Sequence, residues 1–254
     1  MVKKWMKDEL TVKVYDGREE MGKDAAEDIA ACIKTLLKEK CEINMIFAAA
    51  PSQNDVLYSL CERDDIEWQR INAFHMDEYI GLDAAAPQRF SNFLKKHIFS
   101  KKPFKSVNLI DCTGSPEAES ERYGDLLKQY PTDIVCMGIG ENGHIAFNDP
   151  HVADFHDPKM AKPVKLDEIC RMQQVNDGCF ATIDEVPEYA LTLTIPTLIR
   201  APHLFCVVPC TTKAQAVKNT VEGEISESCP ASILRTQKGA ILYCDKDSAA
   251  LLDA

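Results

Sequence analysis

Short apolar runs alternate along the chain with stretches whose apolar residues recur every three or four positions. Residues 12–15, 43–49, 71–76, 107–110, 133–137, 190–195, 203–208 and 240–244 read as strands. Several are almost continuously apolar, as strands covered on both faces of a parallel sheet are. Between them lie helical patterns. Residues 24–38 place Ile29, Ile33, Leu36 and Leu37 on one face. Ser52 or Asn54 is positioned to cap a helix carrying Val56, Leu57 and Leu60. Residues 90–99, 117–128 and 212–220 complete the set. This alternation predicts an α/β fold, with one doubly wound, mostly parallel sheet and helices on both faces. Residues 1–254 are expected to form a single domain, a size at which one core is sufficient. Residues 151–187 break the pattern, with Pro158, Pro163, many charges and no clear period; they read as a lid over a substrate or as a surface excursion.

In an open α/β sheet, ligands bind beyond the carboxyl ends of the strands. Three such ends carry candidate chemistry. After residues 133–137, Gly138, Gly140 and Gly143 bring the backbone close to something, and His144 follows, flanked by Glu141, Asn142 and Asp149. An imidazole beside carboxylates at this position points to proton transfer. After residues 71–76 come Asp77, Glu78 and Tyr79, of which Asp77 is a candidate general base and Glu78 a structural carboxylate. After residues 43–49, Ser52, Gln53 and Asn54 enter a helix, whose N-terminal N–H groups suit an anion. Other chemistries lack their signatures. The sequence has no nucleophile elbow, no Walker A loop and no zinc spacing; Gly138, Gly140 and Gly143 have the spacing of a dinucleotide fingerprint, but His144 follows with no helix-like sequence, so that reading is rejected.

His75-Met76-Asp77-Glu78-Tyr79-Ile80-Gly81-Leu82 and Gly140-Glu141-Asn142-Gly143-His144-Ile145-Ala146-Phe147-Asn148-Asp149-Pro150 resemble the two signatures of the glucosamine-6-phosphate deaminase/isomerase family. The likeness continues through Val186-Pro187-Glu188-Tyr189-Ala190-Leu191-Thr192 and Lys213, and it covers essentially the whole chain in the right order. The resemblance implies a Rossmann-like fold of the sugar-phosphate isomerase type. It also implies conversion of glucosamine 6-phosphate and water to fructose 6-phosphate and ammonia, with no metal or cofactor. By the same resemblance, Asp77 shuttles a proton between C2 and C1, and His144 opens the pyranose ring. Asp149 stands where the family has a glutamate partnering the histidine. Asn142 replaces a family acid; it can orient an imidazole but cannot offset its charge. Glu141 supplies an acid one place earlier, or else faces solvent. Lys213 and the loop of Ser52, Gln53 and Asn54 are expected to hold phosphate. Arg171 lies in the region of the family's phosphate arginine, a few residues early. A galactosamine 6-phosphate branch, which also has Asn before Gly-His, stays open. So do a 6-phosphogluconolactonase and a non-catalytic sugar-phosphate sensor, although regulators on related folds usually add a DNA-binding segment for which the sequence leaves no room.

Composition narrows the setting. The chain has 254 residues, of which 45% are hydrophobic and 27% charged, so it is globular. Its net charge of −11 argues against nucleic-acid partners and anionic membranes. A phosphorylated small molecule therefore needs a local basic pocket. Eleven cysteines without a C-x-x-C pair read as thiols in a reducing cytosol, and Cys206 and Cys210 lack neighbouring metal-ligand types. No run is long and apolar enough to span a bilayer, and the first ten residues lack a signal-peptide core. A cytoplasmic location is expected. No interface stripe stands out, which leaves a homo-oligomer open.

Overall fold

The computed structural model describes residues 1–253. In chain order its elements are β1 (Lys3–Lys7), β2 (Leu10–Tyr15), α1 (Arg18–Glu39), β3 (Ile43–Phe47), α2 (Asn54–Cys61), β4 (Ile71–His75), β5 (Asp77–Tyr79), α3 (Phe90–Leu94), β6 (Ser106–Asn108) and α4 (Pro116–Gln129). Then come β7 (Ile134–Met137), β8 (Ala161–Lys165), α5 (Glu168–Asn176), β9 (Tyr189–Leu193), α6 (Ile195–Ile199), β10 (His203–Val208), α7 (Ala214–Glu222) and β11 (Ala240–Asp245).

Eight strands form one sheet in the order β1-β2-β11-β10-β7-β3-β4-β6. Every pairing from β2 to β6 is parallel, and β1 is added antiparallel at the edge. The central strands β3, β4 and β7 are buried at every position. Successive side chains point to opposite faces, so Met45, Phe47, Ile134 and Cys136 pack with α1, α2 and α3, while Ile46, Val135 and Met137 pack with α4 and α7. Helices thus cover both faces, as the apolar strand pattern predicts.

A second, antiparallel sheet has the order β5-β9-β8. It corrects two expectations. Of residues 190–195, read as a strand of the main sheet, 190–193 lie in β9, the middle of this small one, and Ile195 begins α6. Residues 151–187, read as irregular, contain β8 and α5. Pro163 sits on β8, an edge strand, where a missing N–H is tolerated. α5 starts at Asp167, whose side chain accepts from Cys170 N at 2.6 Å.

Other boundaries shift locally. Neither Ser52 nor Asn54 caps α2, because residues Pro51–Gln53 make a tight 3₁₀ turn that leads into it. Residues 90–99 divide into α3 and a π-helical turn. β1 was not visible in the sequence. Its lysines leave only Trp5 and Lys7 partly covered, as suits an edge that must not pair further. Among the described residues, no helix is long and apolar enough to cross a membrane.

Candidate active site

The carboxyl ends of β3, β4 and β7 open onto a cleft of about 500 Å³. The loop after β7 is shaped around the His144 ring. A Cβ on Gly140 would lie 2.0 Å from that ring, so only glycine lets the imidazole lie against the backbone. Gly143 has φ +84° and would meet Cys229 Sγ at 2.8 Å if it carried a Cβ. The loop is also stitched to β9: Phe147 N donates to Thr192 Oγ1 at 3.0 Å and Asn148 Nδ2 to Leu193 O at 2.8 Å. β9 pairs with β5, so Asp77 and the histidine loop are fixed to the same small sheet.

His144 is buried but lines the cleft. Its Nδ1 lies 2.8 Å from Asn142 Oδ1 and 3.0 Å from Asp149 Oδ1. Asn142 Nδ2 is already committed, donating to Asp149 Oδ1 at 3.0 Å and to Asp167 Oδ2 at 2.9 Å. Both neighbours of Nδ1 are therefore acceptors. In the neutral ring Nδ1 therefore carries the proton and Nε2 keeps its lone pair. Asp149 has no exposed surface. Burial pushes its carboxyl up, but hydrogen bonds and charge from His144, then hydrogen bonds from Asn142 and Asp167 N, bring it below the usual carboxylate range.

Asp77 reaches the cleft from the start of β5. Burial, and then the neighbouring Glu78, raise its carboxyl well above the ordinary value of 3.8. A raised carboxyl is a stronger base, suited to exchanging a proton near neutrality. Glu78 is fully buried and accepts from the backbone N–H groups of Tyr79, Phe90 and Ser91 at 2.9–3.0 Å, so it holds the start of α3. Tyr79 packs among Phe90, Phe147 and Phe180.

At the other side of the cleft lies Lys213, 4% exposed, whose Nζ has no hydrogen-bond partner among the described residues. Burial lowers its pKa, with Asp177 and Glu141 pulling the other way. A buried ammonium without a partner is costly unless an anion joins it. Ser52 and Gln53 line the same region. Gln53 Nε2 donates to Val207 O at 3.1 Å and to Ser52 Oγ at 3.2 Å, which ties the 48–53 loop to β10.

Three expected site residues stand elsewhere. Asn54 lies in the first turn of α2, outside the cleft lining. Arg171 turns away and donates to Ile183 O at 2.7 Å and Val186 O at 2.9 Å, pinning the turn that precedes β9. Among the described residues Glu141 makes no hydrogen bond or ion pair with His144; its backbone N donates to Gln173 Oε1 at 2.8 Å and its carboxylate sits 3.5 Å from Asn176 Nδ2. In their place α5 brings Gln173 and Gln174 into the cleft and Asp167 behind it. The sequence reading missed all three. The usable signal was Asp167 itself, a helix-capping residue just ahead of Glu168.

His144, Asp149 and Cys170 also hold possible metal-ligand atoms within 4.8 Å of one another. Burial, then the charges of Asp149 and Asp167, raise the Cys170 thiol well above its usual value, and Nδ1 of His144 is already donating. Such a donor set is poorly prepared for a cation, which needs a thiolate and, on the Asp149 side of the ring, a nitrogen without a proton.

Comparison with known proteins places the chain in a family. The family model described as glucosamine-6-phosphate isomerases/6-phosphogluconolactonase matches residues 16–243. A glucosamine-6-phosphate deaminase from Listeria monocytogenes is 32% identical over 83% of this chain and 88% of its own. One from Exiguobacterium sibiricum is 33% identical, over 90% of this chain and 91% of its own. The solved structure of a monomeric glucosamine-6-phosphate deaminase superposes with a TM-score of 0.85 at 29% identity, covering 94% of this chain and 99% of that one. The chain belongs to the glucosamine-6-phosphate isomerase/6-phosphogluconolactonase family.

Proposed function

We propose that the protein is a glucosamine-6-phosphate deaminase, converting that sugar and water to fructose 6-phosphate and ammonia. One observation carries the reading: Asp77 and His144, presented by separate strand ends, face a single cleft with the buried ammonium of Lys213, which has no hydrogen-bond partner among the described residues. The deaminases among its relatives support the same reading.

In this reading Lys213, Ser52 and the cleft amides hold the phosphate. His144 Nε2 takes the proton from the C1 hydroxyl and returns it to the ring oxygen as the C1–O5 bond breaks. The open-chain sugar carries its ammonium on C2. That charge beside Asp77 favours the ionised carboxylate, which removes the C2 proton to give an enolamine. Delivery of the proton to C1 gives a C2 iminium; water adds there and ammonia leaves. Asp149 stabilises the imidazolium and keeps the ring in place. Glu141, Asn54 and Arg171 have no part in this chemistry.

A solved relative is a monomeric deaminase. A single protomer, acting in the cytoplasm, is the proposed working unit. Residues 151–187 are proposed to cover the cleft, since α5 supplies Gln173 and Gln174 to it. The test is ammonia release from glucosamine 6-phosphate, with galactosamine 6-phosphate and 6-phosphogluconolactone in parallel. Release from the gluco sugar, lost in His144→Ala, is the expected result. Release only from the galacto epimer, or lactone hydrolysis without ammonia, would replace the proposal with that activity.

A further inference from the structure

Asp167 lies outside the cleft, and the chemistry above does not touch it. Its contacts nevertheless converge on the histidine. Oδ1 accepts from Cys170 N at 2.6 Å, and Oδ2 accepts from Asn142 Nδ2 at 2.9 Å. Its own backbone N donates to Asp149 Oδ2 at 3.2 Å. Asn142 has its second Nδ2 bond on Asp149 Oδ1, and its Oδ1 accepts from both His144 N and His144 Nδ1.

A carboxylate accepts and never donates, so Asp167 and Asp149 together hold the NH₂ side of the Asn142 amide away from the imidazole. What Asn142 then presents to His144 is an oxygen. An oxygen at Nδ1 requires Nδ1–H and leaves Nε2 as the free base toward the cleft. Charge follows the same logic. The neutral Asn142 is bracketed by two acids, and a carboxylate at 142 would bring three into contact while removing the N–H groups that join them. A neutral residue at 142 and an acid at 167 are two halves of one arrangement.

We propose that Asp167 is a positioning residue for His144: acting through the Asn142 amide, it joins Asp149, whose Oδ1 lies 3.0 Å from Nδ1, in holding the imidazole in the Nδ1–H tautomer, and it places a second negative charge behind it. The inference rests on the deaminase reading for its kinetic consequence, though not for its structural one. It also couples α5 to the catalytic histidine, because Asp167 is the residue on which α5 begins.

Two single variants and their combination test it. Asp167→Asn keeps a capping side chain at α5, but its amide can donate, which frees Asn142 to turn. Its kcat is expected to fall about tenfold to a hundredfold, the range for outer partners that orient an imidazole, with KM little changed. Asn142→Asp is expected to fall further. In the double variant the polarity reverses: the amide introduced at position 167 donates to the carboxylate introduced at position 142, and that carboxylate accepts from His144. Its kcat should recover about tenfold over Asn142→Asp alone, a coupling that independent sites do not show. NMR of ring-nitrogen-labelled histidine, with the His144 signal assigned by its loss in His144→Gln, reads the tautomer without substrate. The parent is expected to show Nδ1–H, Asp167→Asn a mixture, and the double variant a return. Parental kcat and tautomer in Asp167→Asn, or a double variant no faster than Asn142→Asp, would overturn the proposal. Should the parent release no ammonia, the deaminase reading fails by itself and the NMR comparison still decides the role of Asp167.

Discussion

The His144 ring rests on Gly140 so closely that a single methyl group is enough to displace it. Gly140→Ala is expected to lower kcat by about a hundredfold or more, since small misplacements of a reacting group cost that much. The overpacked loop should lose only about 1–3 kcal/mol of stability; thermal melts beside steady-state kinetics separate the two effects. Lys213 behaves in the opposite way. Its buried ammonium lacks a partner among the described residues, so Lys213→Met should raise the melting temperature while weakening binding of a sugar phosphate by about 1.5–3 kcal/mol, the usual worth of a charged hydrogen bond. A KM that stays put would contradict the phosphate assignment. Asp77 carries a pH signature. Its folded pKa lies above the unfolded value of 3.8, so the folded state holds the proton more tightly. Its contribution is complete below 3.8 and is lost as pH rises through the raised value. Asp77→Asn should therefore melt higher than the parent at neutral pH, with the gap closing on acidification, while turnover is abolished. Melts across pH that run parallel for the two proteins would contradict this. At this scale the sequence was most legible just beyond a strand end, where Asp77 and His144 stand, whereas Lys213 drew attention through the family resemblance alone. Gln173, Gln174 and Asp167 were hidden because their positions depend on how α5 docks, and Arg171 drew attention through its charge although it serves two carbonyls.

Among the elements, α5 is the one whose placement matters most to the site. It is capped by Asp167, anchored by Gln173 to Glu141 N, and lines the cleft with two amides. Occupation of the cleft should slow its amide hydrogen exchange. Adding fructose 6-phosphate is expected to protect residues 168–176 more than the distant helix α1; equal protection of both would argue against a covering role. Most main-sheet strands and their helices could be read from apolar runs, because burial on both faces leaves little choice of residue. The small sheet could not. β8 carries Pro163 and two lysines, and β5 is three residues long, so both owe their form to pairing with β9 rather than to their own pattern. β1 was lost for a similar reason, since its pairing with β2 is the main thing that makes Lys3–Lys7 a strand.

Over the whole molecule, a net charge of −11 surrounds a cleft whose lining includes one lysine. The parallel sheet resolves that conflict by geometry. It brings the ends of β3, β4 and β7 to one rim, so that the Ser52 loop, a carboxylate and an imidazole from distant parts of the chain share one small volume. The central claim is that this volume moves a proton from C2 to C1 and releases the amine. The most direct measurement is NMR of the purified protein with glucosamine 6-phosphate carrying deuterium at C2, in ordinary water. The expected result is fructose 6-phosphate with that deuterium found at C1 and ammonium released in an amount equal to the ketose, both absent in Asp77→Asn. Unchanged sugar phosphate, or a ketose formed without ammonium, would contradict it.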